Sequence, residues 1–115
     1  MRRTVLFYKT AGGRSPIKDF IDSLPGKVAQ KITWVLSLLE DLEFIPTKYF
    51  KKLTSNIWEC RVRFGSNAYR LFCFFANGSV VVLTHGIVKK TRKIPKKEIE
   101  KAEAYREDFL ERMQK

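Results

Sequence analysis

The sequence predicts an α+β fold: a small antiparallel sheet carrying an N-terminal helical hairpin and a C-terminal helix. Three observations carry that prediction. Apolar residues recur at helical spacing through residues 15–43. Three short apolar segments follow at strand length, the last two joined by Asn77-Gly78, and a final helical pattern begins at Pro95. A chain of 115 residues is long enough for one modest core, so residues 1–115 are expected to form one domain.

Arg2–Lys9 is short and β-branched or aromatic at its centre, as a strand requires. Ala11-Gly12-Gly13-Arg14 turns the chain. Ser15 suits a helix N-cap, and Pro16 at the first helical position gives up no needed N–H. Ile17, Phe20, Ile21 and Leu24 then make one apolar stripe. Leu24-Pro25-Gly26 stops this helix and opens a longer one with Val28, Ile32, Val35, Leu36, Leu39 and Leu42 as its stripe, ending near Glu43. Strands are expected at Ile57–Phe64, Tyr69–Ala76 and Ser79–Gly86. From Pro95 a helix runs to about Met113 with Ile99, Ala102, Phe109, Leu110 and Met113 buried.

Charge is segregated along the chain. The net charge is +11, and residues 44–97 hold twelve basic residues against one acid, Glu59. A cationic field concentrated on the strand region points to a polyanionic partner, with phosphate backbone the first candidate. The aromatic content of 13% belongs to a folded protein rather than a disordered basic tail. The longest apolar runs, Leu71–Ala76 and Val80–Leu83, are too short to cross a bilayer, and the start lacks the long apolar stretch of a secretory signal. A cytoplasmic protein with no membrane partner is expected.

Register converts this composition into a site. A type I′ turn at Asn77-Gly78 sets Arg70 opposite His85, and a loop of Gly65–Ala68 sets Arg63 opposite Arg70 and Arg61 opposite Phe72. Alternation then places Glu59, Arg61, Arg63, Arg70 and His85 on one face. Trp58, Cys60, Val62, Phe64, Tyr69, Leu71, Cys73, Phe75, Val80 and Val82 fall on the other, against helices. Like charges directly opposite one another on a sheet are destabilising, so this face calls for an external anion. Arg70 is expected to be the most exposed to a phosphate. Guanidinium forks match phosphate and stay charged, which suits Arg61 and Arg70 to stabilising a pentavalent phosphorane. Arg63, Lys52, Lys89 and Lys90 are expected to hold the phosphate backbone. His85 and Glu59 are the acid–base candidates on the face. Cys60 and Cys73 are expected opposite each other on the core side as packing thiols, so no metal site and no cofactor is expected.

Trp58-Glu59-Cys60-Arg61, Tyr69-Arg70, His85-Gly86-Ile87-Val88-Lys89-Lys90-Thr91, Lys93-Ile94-Pro95, Glu98-Ile99 and Ala102 occur in this order. The series resembles the phage-derived HigB-like toxins, a branch of the RelE/ParE superfamily of bacterial toxin–antitoxin systems, over most of the chain. The resemblance implies a twisted sheet with a basic concave face. It matches Arg61, Arg70 and Lys89 or Lys90 to the family's basic residues. RelE-type members cleave mRNA in the ribosomal A site, whereas ParE-type members inhibit DNA gyrase and cleave nothing. Both are silenced by an antitoxin, which in the HigB branch is a helix-turn-helix (HigA-like) protein. The chain departs from the RelE pattern in one respect: Thr91–Pro95 holds neither the Tyr nor the His that many members place near the C-terminus. A ribosome-dependent endoribonuclease, a ParE-like inhibitor and a plain nucleic-acid-binding module are therefore the three readings.

Overall fold

The computed structural model describes residues 2–113. Along the chain lie β1 (Thr4–Phe7), α1 (Pro16–Asp22), α2 (Gly26–Asp41), β2 (Phe50–Lys52), β3 (Trp58–Phe64), β4 (Asn67–Asn77), β5 (Val80–Lys89) and α3 (Lys96–Met113). The strands form one sheet in the order β1-β5-β4-β3-β2. The α+β class and the order of helices follow the sequence. The sheet is antiparallel from β2 to β5, but β1 runs parallel to β5, with Val5 beside Val81. Parallel pairing needs a long crossover, and here everything between β1 and β5 supplies it.

One face of the sheet is closed by α1 and α2. Ser15 caps α1 by accepting from the Lys18 N–H, with Pro16 opening the helix. The α2 stripe of Val28, Ile32, Val35, Leu36 and Leu39 is buried against Cys60, Val62, Leu71, Cys73, Val81 and Leu83. Leu42 lies beyond the last helical turn in extended conformation and is exposed, so the stripe stops short of it. Gly86 lets α1 approach β5: a Cβ there would stand 2.5 Å from Phe20 Cε2 and 3.0 Å from Leu71 Cδ2.

Both hairpins are tighter or shifted relative to expectation. β3 and β4 join through Gly65-Ser66 alone, because Phe64 pairs with Asn67. Gly65 takes φ +61, the conformation a two-residue turn demands at its first position. Arg61, not Arg63, therefore faces Arg70, and Arg63 faces Ala68. Between β4 and β5 the turn is Gly78-Ser79, not a type I′ Asn77-Gly78 turn; Asn77 Oδ1 accepts from the Ser79 N–H at 3.0 Å and closes it. Two bulges follow, an extra residue at Ala76 on β4 and at Thr84 on β5. Thr84 Oγ1 donates to the Phe72 carbonyl at 3.2 Å, giving the bulge its own anchor. The bulges offset each other, so His85 returns to the face of Arg70, but it pairs with Phe72 while Arg70 pairs with Ile87. Between them parity is reversed. Val81 and Leu83 face α2, whereas Val80 and Val82, expected there, face the other way.

The second face is divided. α3 lies over Phe72, Phe74 and Val82, burying Ala102 and packing Tyr105 and Phe109 on them. Tyr8 Oη donates to Asp108 Oδ2 at 2.6 Å and ties the far end of α3 to the residue after β1. Burial and that carboxylate push the Tyr8 phenol up to about 12. Met113, expected inside, is 68% exposed. The rest of this face is left open, and it is the cationic part.

Candidate nucleic-acid interface

Alternation along three antiparallel strands builds the open half-face. Lys51 pairs with Glu59, Arg61 with Arg70, Arg63 with Ala68, and Ala68 with Lys89, so these side chains leave the sheet on the same side. Glu59 is the one carboxylate the strands contribute there. Glu59 and Arg70 are both buried, 4% and 7% exposed, which corrects the expectation that Arg70 would be the most open arginine. Arg70 Nε lies 2.8 Å from Glu59 Oε1. The N–H is not aimed at that oxygen, and neither atom has a hydrogen-bond partner among the described residues. The contact is an ion pair by distance and charge rather than a guanidinium fork. Burial lowers the pKa of Arg70, opposed by Glu59 and reinforced by Arg61 and Arg63.

The Arg61 N–H donates to the Tyr49 carbonyl; past that bond β3 has no strand paired on this side, and a cleft of about 340 Å³ opens there. Lys31 of α2, Lys48 and Tyr49 of the segment before β2, and Arg61, Arg63 and Arg70 of the sheet line it. Arg61 is half-buried, steadied by a 3.3 Å hydrogen bond from Nη1 to the Thr47 carbonyl, and Arg63 is exposed. Lys89, half-buried on the neighbouring strand, has its pKa lowered first by burial and then by Arg70, with Glu59 opposing. A recess of guanidinium and ammonium groups around one engaged carboxylate is built to take an oxyanion, with arginines presenting paired donors to phosphate oxygens.

The structure does not bring every expected residue to this cleft. His85 shares the face but lies under α3, 5% exposed. Its ring stacks on Phe72 at 4.8 Å, Nδ1 meets Thr84 Oγ1 at 3.0 Å, and Nε2 meets Glu98 Oε1 at 3.1 Å. Burial lowers its pKa, with Glu98 opposing. An imidazole with both nitrogens engaged holds α3 to the sheet; it is not a free proton carrier. Lys52 leaves from the opposite face, its ammonium 5.9 Å from the Trp58 ring, and Lys51 takes the place expected for it. Lys90 follows the last residue of β5 and is exposed beside the half-face. Cys60 and Cys73 are buried free thiols on the core side, but Cys60 pairs with Leu71 and Cys73 with Trp58, so they are diagonal rather than opposed. Burial pushes Cys60 up to about 12 and Cys73 well above its ordinary value.

Lys31, Lys48, Tyr49 and Lys51 were not singled out by sequence. Reading Phe50-Lys51-Lys52 as a strand with Phe50 inward would have found Lys51. Nothing in the α2 pattern marks Lys31, because it is one basic residue on the flank of an apolar stripe.

The family described as Phage derived protein Gp49-like (DUF891) matches residues 19–107. The chain belongs to this family. The Gp49-like family lies in the RelE toxin superfamily. Its match runs through the helical hairpin, β2–β5 and most of α3, so it includes every residue of the cationic half-face, while β1 lies outside it. A comparison with curated proteins gives no match. Among the described residues no helix of this Gp49-like chain is long and apolar enough to cross a membrane.

Proposed function

We propose that this Gp49-like chain is the toxin of a type II toxin–antitoxin pair, HigB-like in its branch, acting in the cytoplasm as a ribosome-dependent mRNA endoribonuclease. The observation that carries the reading is the direct pairing of Arg61 with Arg70 beside Arg63, Lys89 and Lys51, with Glu59 as the one acid among them. Family membership supports the toxin role. In the reaction the ribose 2′-oxygen attacks the adjacent phosphorus, a 2′,3′-cyclic phosphate forms, and the bond to the 5′-oxygen breaks. Arg61 stabilises the added charge on the phosphorane oxygens. Lys89, made more acidic by burial and by Arg70, donates a proton to the departing 5′-oxygen. Glu59 is held by Arg70, so the 2′-hydroxyl proton leaves to the ribosomal surroundings or solvent. Positioning by the ribosome supplies much of the rate, as orientation alone does for well-aligned groups. A helix-turn-helix antitoxin encoded beside the toxin silences it by masking the basic face.

The burial of His85 favours a second reading, a ParE-like inhibitor of DNA gyrase that cleaves nothing, because the cleft then lacks an imidazole. Induced expression with pulse labelling separates the two. The endoribonuclease reading predicts that protein synthesis stops first while plasmid supercoiling is unchanged. Loss of supercoiling with translation continuing selects the inhibitor, and neither effect leaves only a nucleic-acid-binding module.

A further inference from the structure

α2 buries its aliphatic stripe yet leaves Trp34 48% exposed. Trp34 lies one turn beyond Lys31 on the helix, and Lys31 lines the cationic cleft. Tyr49, another lining residue, meets the indole at 5.8 Å between centroids with the rings at 85°. An edge-on contact is not a stacked one, and at 48% exposure the indole keeps open surface for a flat partner. Lys48 Nζ stands 5.4 Å from the Tyr49 centroid, placing a second ammonium at the same aromatic corner. A tryptophan serving a protein partner sits among contacts that exclude water, whereas this one has Lys31 one turn back on its helix and Lys48 over its Tyr49 neighbour. Aromatic rings beside a positively charged groove are the arrangement that binds single strands, with phosphates in the groove and bases on the rings.

We infer that Trp34, backed by Tyr49, is a stacking site for one unpaired nucleobase of the strand whose phosphates lie in the Arg61–Arg63 cleft. The site rests on the nucleic-acid reading of that cleft. It takes any base, because every base offers a π-face, and it requires the strand to be unpaired.

The test is anisotropy titration of a labelled single-stranded ribo-oligonucleotide against the full chain and its Trp34→Ala, Trp34→Phe and Arg63→Ala variants, repeated with an abasic oligonucleotide of equal phosphate number. Trp34→Ala should weaken binding of the normal strand about five- to a hundredfold. It should leave the salt slope and the abasic affinity unchanged, and Trp34→Phe should recover much of the loss. Arg63→Ala should instead flatten the salt slope with both strands. Equal affinity of Trp34→Ala and the parent overturns the stacking site and leaves the cleft reading standing. Equal weakening on normal and abasic strands also overturns it, since the contact is then with backbone. No salt-dependent binding by the parent overturns the stacking site and the cleft reading together.

Discussion

Arg61 and Arg70 stand opposite each other on neighbouring strands, yet only Arg70 is sealed in against Glu59, at 2.8 Å, while Arg61 stays open to the cleft. The pair therefore divides two tasks. Glu59 compensates one of two facing charges and makes the pairing tolerable, and on the proposed reading the other meets the RNA phosphate.

Removing Arg70 should cost stability as well as activity. Arg70→Ala strands a buried carboxylate, a loss of roughly 3–5 kcal/mol in such pairs. Replacing both partners, as in Glu59→Leu with Arg70→Met, should recover most of that loss. Urea unfolding of the single and double variants checks this, and equal stability of Arg70→Ala and the parent would contradict the pairing.

Salt dependence locates the contact surface. Each phosphate neutralised on a single strand contributes about −0.7 to the slope of log affinity against log salt. Lys51→Glu and the double reversal of Lys89 and Lys90 should both flatten the slope. Lys52→Glu should change it far less, since Lys52 lies across the sheet beside Trp58. A larger effect from Lys52 than from Lys51 would reverse the assignment of faces.

His85 predicts a pH dependence of stability. Burial holds its pKa below the ordinary 6.5, so the unfolded chain takes up the proton first as pH falls. Its contribution is complete above about 6.5 and is lost as pH falls through the lower folded value. Unfolding curves across this range should flatten in His85→Gln, while oligonucleotide affinity at neutral pH stays near that of the parent. A large loss of affinity without loss of stability would return His85 to the binding face.

α3 should be part of the cooperative core. Its removal uncovers Phe72, Phe74 and Val82 and breaks the Tyr8–Asp108 hydrogen bond. A chain ending before Lys96 should lose cooperative thermal unfolding. On the proposed toxin reading an antitoxin binds the chain with α3 in place, and a stable truncated chain that no longer binds it would contradict this.

Much of the fold was legible because its cues are local. The Ser15-Pro16 start, the apolar spacing of α2 and the strand-length runs each name an element without outside help. The shared face of Arg61, Arg63 and Arg70 was legible too, because the β3–β4 register shift was by an even number and parity survived it. Opposite partners were not legible, since they depend on turn length, and Gly65-Ser66 is two residues shorter than the loop expected. Nor were the bulges at Ala76 and Thr84, which turned Val82 from one core to the other. The cover over His85 is a tertiary fact. Only the docking of α3, through Glu98 and Tyr105, distinguishes a strut from a catalyst. Lys31 and Lys48 come from distant segments that only folding brings to Arg61.

Whether Arg61 acts on RNA phosphate is read from the mRNA 5′ ends that form after induction. The parent chain should generate new ends within translated messages. Arg61→Ala, whose side chain lies outside both cores, should reduce them about a hundredfold or more while unfolding like the parent. Lysine at that position should restore little, because an ammonium cannot present the guanidinium fork. New ends at undiminished frequency in a folded Arg61→Ala chain, or none from the parent, would contradict the account.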